Sequence, residues 1–285
     1  MSRQKPGPDP IQGAKRFGDK DMLQHIDLAK NWTAIVLAAG RGPNDPMAKA
    51  YGVSHKCALP VNGVPMLRRV VDALRASRSI NAISVSIENA AIVHDALSKK
   101  DAGIIVIPSE SSAPLSAMVA IKKKPIFPVL ITTADHALLN PEMIDYFCGQ
   151  AEQNGADFSA GLARAETILE AYPQSVRTFF TFGKDRVSGC NLFALRNEKG
   201  LRILEKWQYL EQVRKKPWRL VAAFGPLALI RFLFGAMSLD GAFKIVSKRL
   251  GLTARPILMP FAEAAIDVDK PSDLELAEAI LNRRA

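Results

Sequence analysis

The chain has 285 residues, 48% of them hydrophobic and 23% charged, which excludes intrinsic disorder as the main state and fits one large globular domain. Lys and Arg outnumber Asp and Glu by 38 to 28, and the formal charge of +10 favours anionic partners: phosphorylated small molecules, nucleic acid or an anionic membrane surface. Three widely spaced cysteines, Cys57, Cys148 and Cys190, argue against a disulfide framework or a structural zinc site and for a reducing, cytoplasmic setting.

Residues 1–30 read as a polar tail carrying Pro and Gly, without the apolar core of a targeting segment, so 31–285 is expected to form a single domain. The run Thr33–Gly40 is short and apolar and ends in small residues, the pattern of a buried parallel strand feeding a loop. The stretch 41–56 reads as that loop. Val64–Ala76 has helical spacing, Ile83–Ile87 alternates as a strand, and Ala90–Ser98 reads as a helix. Gly103–Ile107 is a further strand, Leu115–Ile121 opens a helix, and Pro128–Asp135 is a strand ending in a carboxylate. Pro141–Gln153 follows as a helix with proline in its first turn. Strands alternating with helices imply βαβ units, hence an α/β fold with a mostly parallel central sheet flanked by helices. Ligands of such sheets bind outside the carboxyl ends of the strands, which puts the Gly40 loop and Asp135 on one rim.

The second half changes character. Residues 177–195 suggest strands around a Gly-Lys-Asp turn, 198–215 a basic helix, and 220–250 apolar helix broken by Gly225, Pro226 and Arg231. No uninterrupted apolar run there reaches the length of a membrane span. Ile257–Phe261 and Ala264–Val268 read as short strands, and Ser272–Arg284 as a closing helix capped by Ser272. The expected layout is a nucleotide-binding half at 31–160 and an acceptor-binding half at 161–285, with the apolar and basic helices at 198–255.

Leu37-Ala-Ala-Gly-Arg-Gly42 lets a backbone approach a ligand closely and expose its N–H groups, yet it is neither a Walker loop nor GxGxxG. Its continuation through Lys56 to Gly63-Val-Pro-Met-Leu resembles the signature of nucleotidyltransferases with a GT-A-like fold, in particular the MobA-like NTP transferases. Three further stretches resemble that family in its order. They are Ser111–Ser116 (a nucleobase-holding segment), Thr132–Asp135 (the strand whose Asp binds Mg2+), and Ala265–Leu274 (the terminal [DN]-[IV]-[DN]-T-P-x-D-L motif). The spacing of 16 residues from Gly40 to Lys56 is longer than the family's, and Pro43–Gly52 replaces its Arg-Met-Gly, leaving Arg41 or Lys49 for the arginine role.

The resemblance implies a Mg2+-dependent transfer of a nucleoside monophosphate from an NTP, CTP or GTP first, to a phosphorylated acceptor. Leu37, Ala38, Ala39, Gly40, Gly42, Lys56, Ser111 and Ser116 would hold the nucleotide, with Lys56, Arg41 and Asp135 catalytic. Arg177 and Asn191, with Cys190 beside them, would face the acceptor. Isolated strand-end carboxylates plus phosphate oxygens suit Mg2+, which makes Asp135 the first metal ligand. Asp267 is the second, with Asp269 competing, because alternate residues of an extended segment share a face. Asp273 reads as a charge at a helix N-terminus and His136 as a loop residue.

Two competing readings stand beside this one. Asp267-Val-Asp269 spells the DXD of a GT-A glycosyltransferase, although that motif ordinarily sits mid-chain. The basic stretch 196–219 ahead of the apolar run suits a nucleotide-binding or membrane-surface module without catalysis, or an enzyme touching an anionic membrane. No nucleic-acid-binding module is recognisable, so nucleic acid is not expected as a partner. The oligomeric state stays open.

Overall fold

The first apolar run becomes β1 (Trp32–Leu37), followed by α1 (Pro46–Ala50), a hairpin of β2 (Pro60–Val61) and β3 (Val64–Pro65), and α2 (Met66–Ala76). Then come β4 (Ile80–Ile87), α3 (Ala90–Ala96), β5 (Ile105–Pro108), α4 (Ala113–Lys123), β6 (Val129–Thr133) and α5 (Pro141–Asn154). The second half supplies β7 (Phe158–Arg164), α6 (Ala165–Ala171), β8 (Phe180–Phe182), β9 (Asp185–Leu195), α7 (Leu201–Glu211), α8 (Leu239–Leu250), β10 (Ala254–Met259) and α9 (Pro271–Arg284). The structure is a computed structural model that describes residues 31–40, 45–97, 103–211 and 237–284. The tail 1–30, Arg41, Gly42 and the apolar-basic stretch 212–236 lie outside the described residues.

One sheet runs through both halves in the order β10-β7-β9-β6-β1-β4-β5, with β8 added to β9. β1 pairs in parallel with β4 on one side and β6 on the other, so the carboxyl ends of three strands meet at one rim. β9 runs antiparallel between β6 and β7, and β10 pairs in parallel with β7. The mostly parallel, helix-flanked sheet expected from the alternation is thus present.

β1 has few polar side chains because both of its faces are covered. Ala34 and Val36 enter a core with Val70 and Leu74 of α2 and Phe147 of α5. Ile35 turns to the opposite core with Met118 and Ile121 of α4 and Leu204 of α7. A third cluster joins Leu59, Val61 and Met66 to Leu138, Ile266, Val268 and Leu274, anchoring the C-terminal segment beneath the rim.

Three local expectations are corrected. The loop 41–56 contains α1, whose N-cap Asp45 accepts from the N–H groups of Met47 at 2.9 Å and Ala48 at 3.1 Å. Ala264–Val268 is not a strand; a 3-10 turn covers Ala262–Ala265, and Val268 N–H donates to the Asp135 carbonyl at 3.0 Å instead of to a neighbouring strand. The closing helix begins at Pro271, so Ser272 lies inside it rather than capping it. Among the described residues no helix is long and apolar enough to cross a membrane.

Candidate active site

The rim is built from backbone first. Beyond β1, Ala38 N–H donates to Ser86 of β4, and Ala134 N–H donates to Leu37, so the residues after Leu37 emerge between the ends of β4 and β6. Leu37, Ala38 and Ala39 line a small open pocket with His55, Lys56, Cys57, Ala134 and Asp135. Four of the nucleotide-site and catalytic residues expected from sequence are therefore brought together with Asp135, across 98 positions of chain from Leu37.

Lys56 opens a 3-10 turn, Lys56–Ala58, capped by His55, whose Nδ1 accepts from Cys57 N–H at 3.2 Å. Its ammonium lies between two carboxylates, 2.8 Å from Asp135 Oδ2 and 2.5 Å from Asp269 Oδ1. Burial pulls its pKa down, but Asp135 and Asp269 together outweigh that and hold it above the ordinary lysine value. The other Asp135 oxygen accepts from the Thr133 hydroxyl at 2.6 Å, which fixes the carboxylate's orientation.

Asp267, two residues before Asp269, faces a different cation. Its carboxylate pairs with the Arg177 guanidinium and accepts from Asn191 Nδ2 at 3.0 Å, while Arg177 Nη1 reaches the Asp267 carbonyl at 3.3 Å. Asp273 Oδ2 accepts the N–H groups of Asp269 and Lys270, each at 3.1 Å, and its Oδ1 lies 3.8 Å from Arg177. The segment 267–270 is thus held at its side chains, its carbonyl and its N–H groups at once.

Asn191 reaches Asp267 because β9 is bulged there. Ala160 of β7 pairs with Phe193 but Leu162 with Gly189, so β9 carries two more residues than β7 over that stretch. Asn191 takes a left-handed φ of 50° at the bulge. Cys190, expected beside the acceptor, is instead buried in the core; only Asn191 turns to the site.

Ser116 is buried, and its hydroxyl accepts from Glu110 N–H at 2.9 Å, bracing the loop that carries the exposed Ser111. His136 is 1% exposed; burial, partly opposed by Asp135, pushes its pKa down to about 4, so the ring is neutral near pH 7. Burial likewise raises the pKa of all three thiols, leaving no thiolate nucleophile. Among the described residues no group of three or more His, Cys, Asp or Glu could hold a metal ion, so any metal here would rely on two carboxylates plus its substrate's oxygens.

Sequence reasoning missed Glu88, which closes the rim on the β4 side. It accepts from Gly40 N–H at 3.3 Å with each oxygen and from His55 Nε2 at 2.9 Å. Its position directly after an alternating strand next to β1 was the available signal, since parallel strands aim their last residues at the ligand side.

A mostly parallel sheet with a glycine-bearing first loop, a lysine and an aspartate just beyond the end of β6 is the architecture of a GT-A-like nucleotidyltransferase. Residues 34–207 match the family model of the MobA-like NTP transferase domain, and the chain belongs to that family. No curated protein is similar enough to match. Among solved structures, a hypothetical transferase from Thermus thermophilus is 25% identical, with a TM-score of 0.72, over 85% of this chain and 98% of that one. A CMP:2-keto-3-deoxy-manno-octonic acid synthetase complexed with CTP is 12% identical, with a TM-score of 0.55, over 90% and 100%. A 4-diphosphocytidyl-2C-methyl-D-erythritol synthase from Anaerococcus prevotii is 15% identical, with a TM-score of 0.54, over 89% and 99%. The protein is a nucleotidyltransferase, which sets aside the glycosyltransferase and inactive-module readings.

Proposed function

We propose that the protein transfers a nucleoside monophosphate from a magnesium-complexed NTP to a phosphorylated small molecule, releasing pyrophosphate. The observation that carries this reading is the Lys56 ammonium held between Asp135 and Asp269 beside the Leu37–Gly40 loop. Two carboxylate oxygens already converge on one positive charge, so the donor set fits a hard divalent cation. Asp135 and Asp269 would hold it, whereas Asp267 is engaged by Arg177 and Asn191. Bound there, Mg2+ would neutralise the triphosphate and polarise the α-phosphoryl group.

In the reaction, an acceptor phosphate oxygen forms a bond to the α-phosphorus. The bond from that phosphorus to the β-bridging oxygen breaks, and its electron pair leaves on pyrophosphate. The acceptor is already ionised, so no side chain has to remove a proton. Lys56 exchanges its carboxylates for phosphate oxygens and stabilises charge developing on the leaving group. The backbone of Leu37–Gly40 and the loop carrying Ser111, braced by Ser116 of α4, would hold the nucleotide, with Arg41 and Gly42 assigned to the same site on the family resemblance. Arg177 and Asn191 form the acceptor side, where a guanidinium suits a second phosphate.

CTP and GTP lead the nucleotide candidates; a structural neighbour complexed with CTP supports including CTP first. The three buried free cysteines suit a cytoplasmic location. Exposed Lys244, Lys248 and Arg249 on α8, with Arg255 on β10, support peripheral contact with an anionic membrane, tested by vesicle sedimentation at low salt. The reaction is tested by incubating the whole chain with each NTP, Mg2+ and a panel of phosphorylated alcohols and sugars, following pyrophosphate and, in parallel, NTP binding by calorimetry. Pyrophosphate that requires NTP, metal and acceptor together is expected. Failure of every Mg–NTP complex to bind would overturn the reading.

A further inference from the structure

We propose that Glu88 and His55 form a positioning pair that couples the glycine loop to the turn carrying Lys56, and so sets the lysine's placement against a bound triphosphate. The inference rests on the nucleotide site proposed above and assigns a role to His55, at the pocket wall, and to Glu88 behind it.

Glu88 lies one residue before Asn89, the N-cap of α3, which accepts from Ala91 N–H at 3.0 Å. The Glu88 carboxylate instead bridges two loops, taking Gly40 N–H at 3.3 Å and His55 Nε2 at 2.9 Å. His55 is 6% exposed, and both of its ring nitrogens are committed. Its Nδ1 accepts from Cys57 N–H, so the proton sits on Nε2 and points at Glu88. The hydrogen bonds therefore have one direction, from the backbone of the lysine turn through the imidazole to the carboxylate.

Gly40 belongs to the same unit. A Cβ there would lie 2.5 Å from His55 Nε2, a distance real Cβ atoms do not adopt, and a tight 3.2 Å from Glu88 Oε1. The space left by this glycine is filled by the imidazole rather than kept open. Removing the Glu88 carboxylate leaves the Nε2 proton without its acceptor and frees the ring to change tautomer. An Nδ1 proton would then face the Cys57 N–H, two donors opposed, and the cap of the Lys56–Ala58 turn would be lost. Lys56 would shift relative to the loop, and small misplacements of a charged group cost rate steeply.

The test compares Glu88→Ala and Glu88→Gln by steady-state kinetics with NTP and by 15N NMR of the His55 ring in the whole chain. Wild type is expected to show the Nε2–H tautomer. Glu88→Ala should give a tautomer mixture and a loss of about tenfold or more in kcat/KM for NTP, with little change in melting temperature. Glu88→Gln, whose amide oxygen still accepts from Nε2, should keep the tautomer and restore kcat/KM to within about threefold. Unchanged tautomer and kinetics in Glu88→Ala would overturn the proposal. So would a Glu88→Gln enzyme as damaged as Glu88→Ala with its tautomer intact, because the carboxylate would then act on the substrate directly. The NMR result stands without turnover, so failure of the nucleotide reading would be seen separately, as wild-type protein that binds no NTP.

Discussion

In the proposed reaction Lys56 lies between the two carboxylates assigned to the metal, so metal and nucleotide binding depend on each other. Replacing it with methionine removes the ammonium that lies between the carboxylates of Asp135 and Asp269. Lys56→Met should therefore bind Mn2+ more tightly than wild type in the absence of nucleotide, read by electron paramagnetic resonance, while turnover falls by about 3 kcal/mol. Equal Mn2+ affinity in both proteins would mean that the two carboxylates are not the metal pair. Asp269→Asn should raise the Mg2+ concentration needed for half-maximal rate far more than Asp267→Asn, since Asp267 already has Arg177 and Asn191. The reverse order would reassign the ligand by one step of the extended segment. His136 gives a separate, pH-dependent test. Its folded pKa lies below its unfolded one, so the unfolded chain binds the extra proton between about pH 6.5 and pH 4. Stability contributed by the neutral ring is present above that window and lost as the pH falls through it. His136→Gln should flatten this acid limb, on the order of 2–3 kcal/mol, in melting temperatures recorded from pH 7 to pH 4.

At the scale of elements, the bulge in β9 connects packing to chemistry. Opposite it, a Cβ on Gly161 would come within 3.2 Å of the Leu192 Cβ and 3.5 Å of the Cys190 Cβ. Gly161→Ala should cost about 1–2 kcal/mol in urea unfolding, because the two strands must part slightly. It should also weaken acceptor use more than NTP use, because Asn191 is displaced; equal effects on both would detach the bulge from the acceptor side. Such a bulge was not legible in the sequence, because register is a relation between two strands and each strand alone still alternates. The main strands and helices were legible, since burial on one or both faces leaves periods of 2 and 3.6. The short α1 was hidden by its five residues and adjoining prolines, with a buried Asp45 cap supplying what periodicity lacked. Ala264–Val268 misled for the opposite reason. Its alternation is real, with Ile266 and Val268 in the core and Asp267 and Asp269 at the rim, but its backbone partners are a loop carbonyl and side chains. The candidate ligands were therefore visible as a pair, and only three dimensions separate their cations.

Over the whole molecule, the site gathers Lys56, Asp135, Arg177, Asn191, Asp267 and Asp269, so it exists only when the sheet is complete. Ligand binding should then stabilise the chain globally. With Mg2+ present, the preferred NTP at 100 times its dissociation constant should add about 2.7 kcal/mol and raise the melting temperature, whereas Asp269→Asn should lose most of that shift. A shift that survives Asp269→Asn would show that binding does not pass through this carboxylate. The charges of the site carry one more consequence. Among the described residues, Asp135, Asp267, Asp269 and Asp273 gather around the two cations Lys56 and Arg177, so carboxylates outnumber cations there. A free triphosphate, itself carrying about four negative charges, is repelled by surplus carboxylates more strongly than its magnesium complex, which carries about two. In the proposed reaction, the rim therefore favours a nucleotide that arrives with its metal over one that arrives bare.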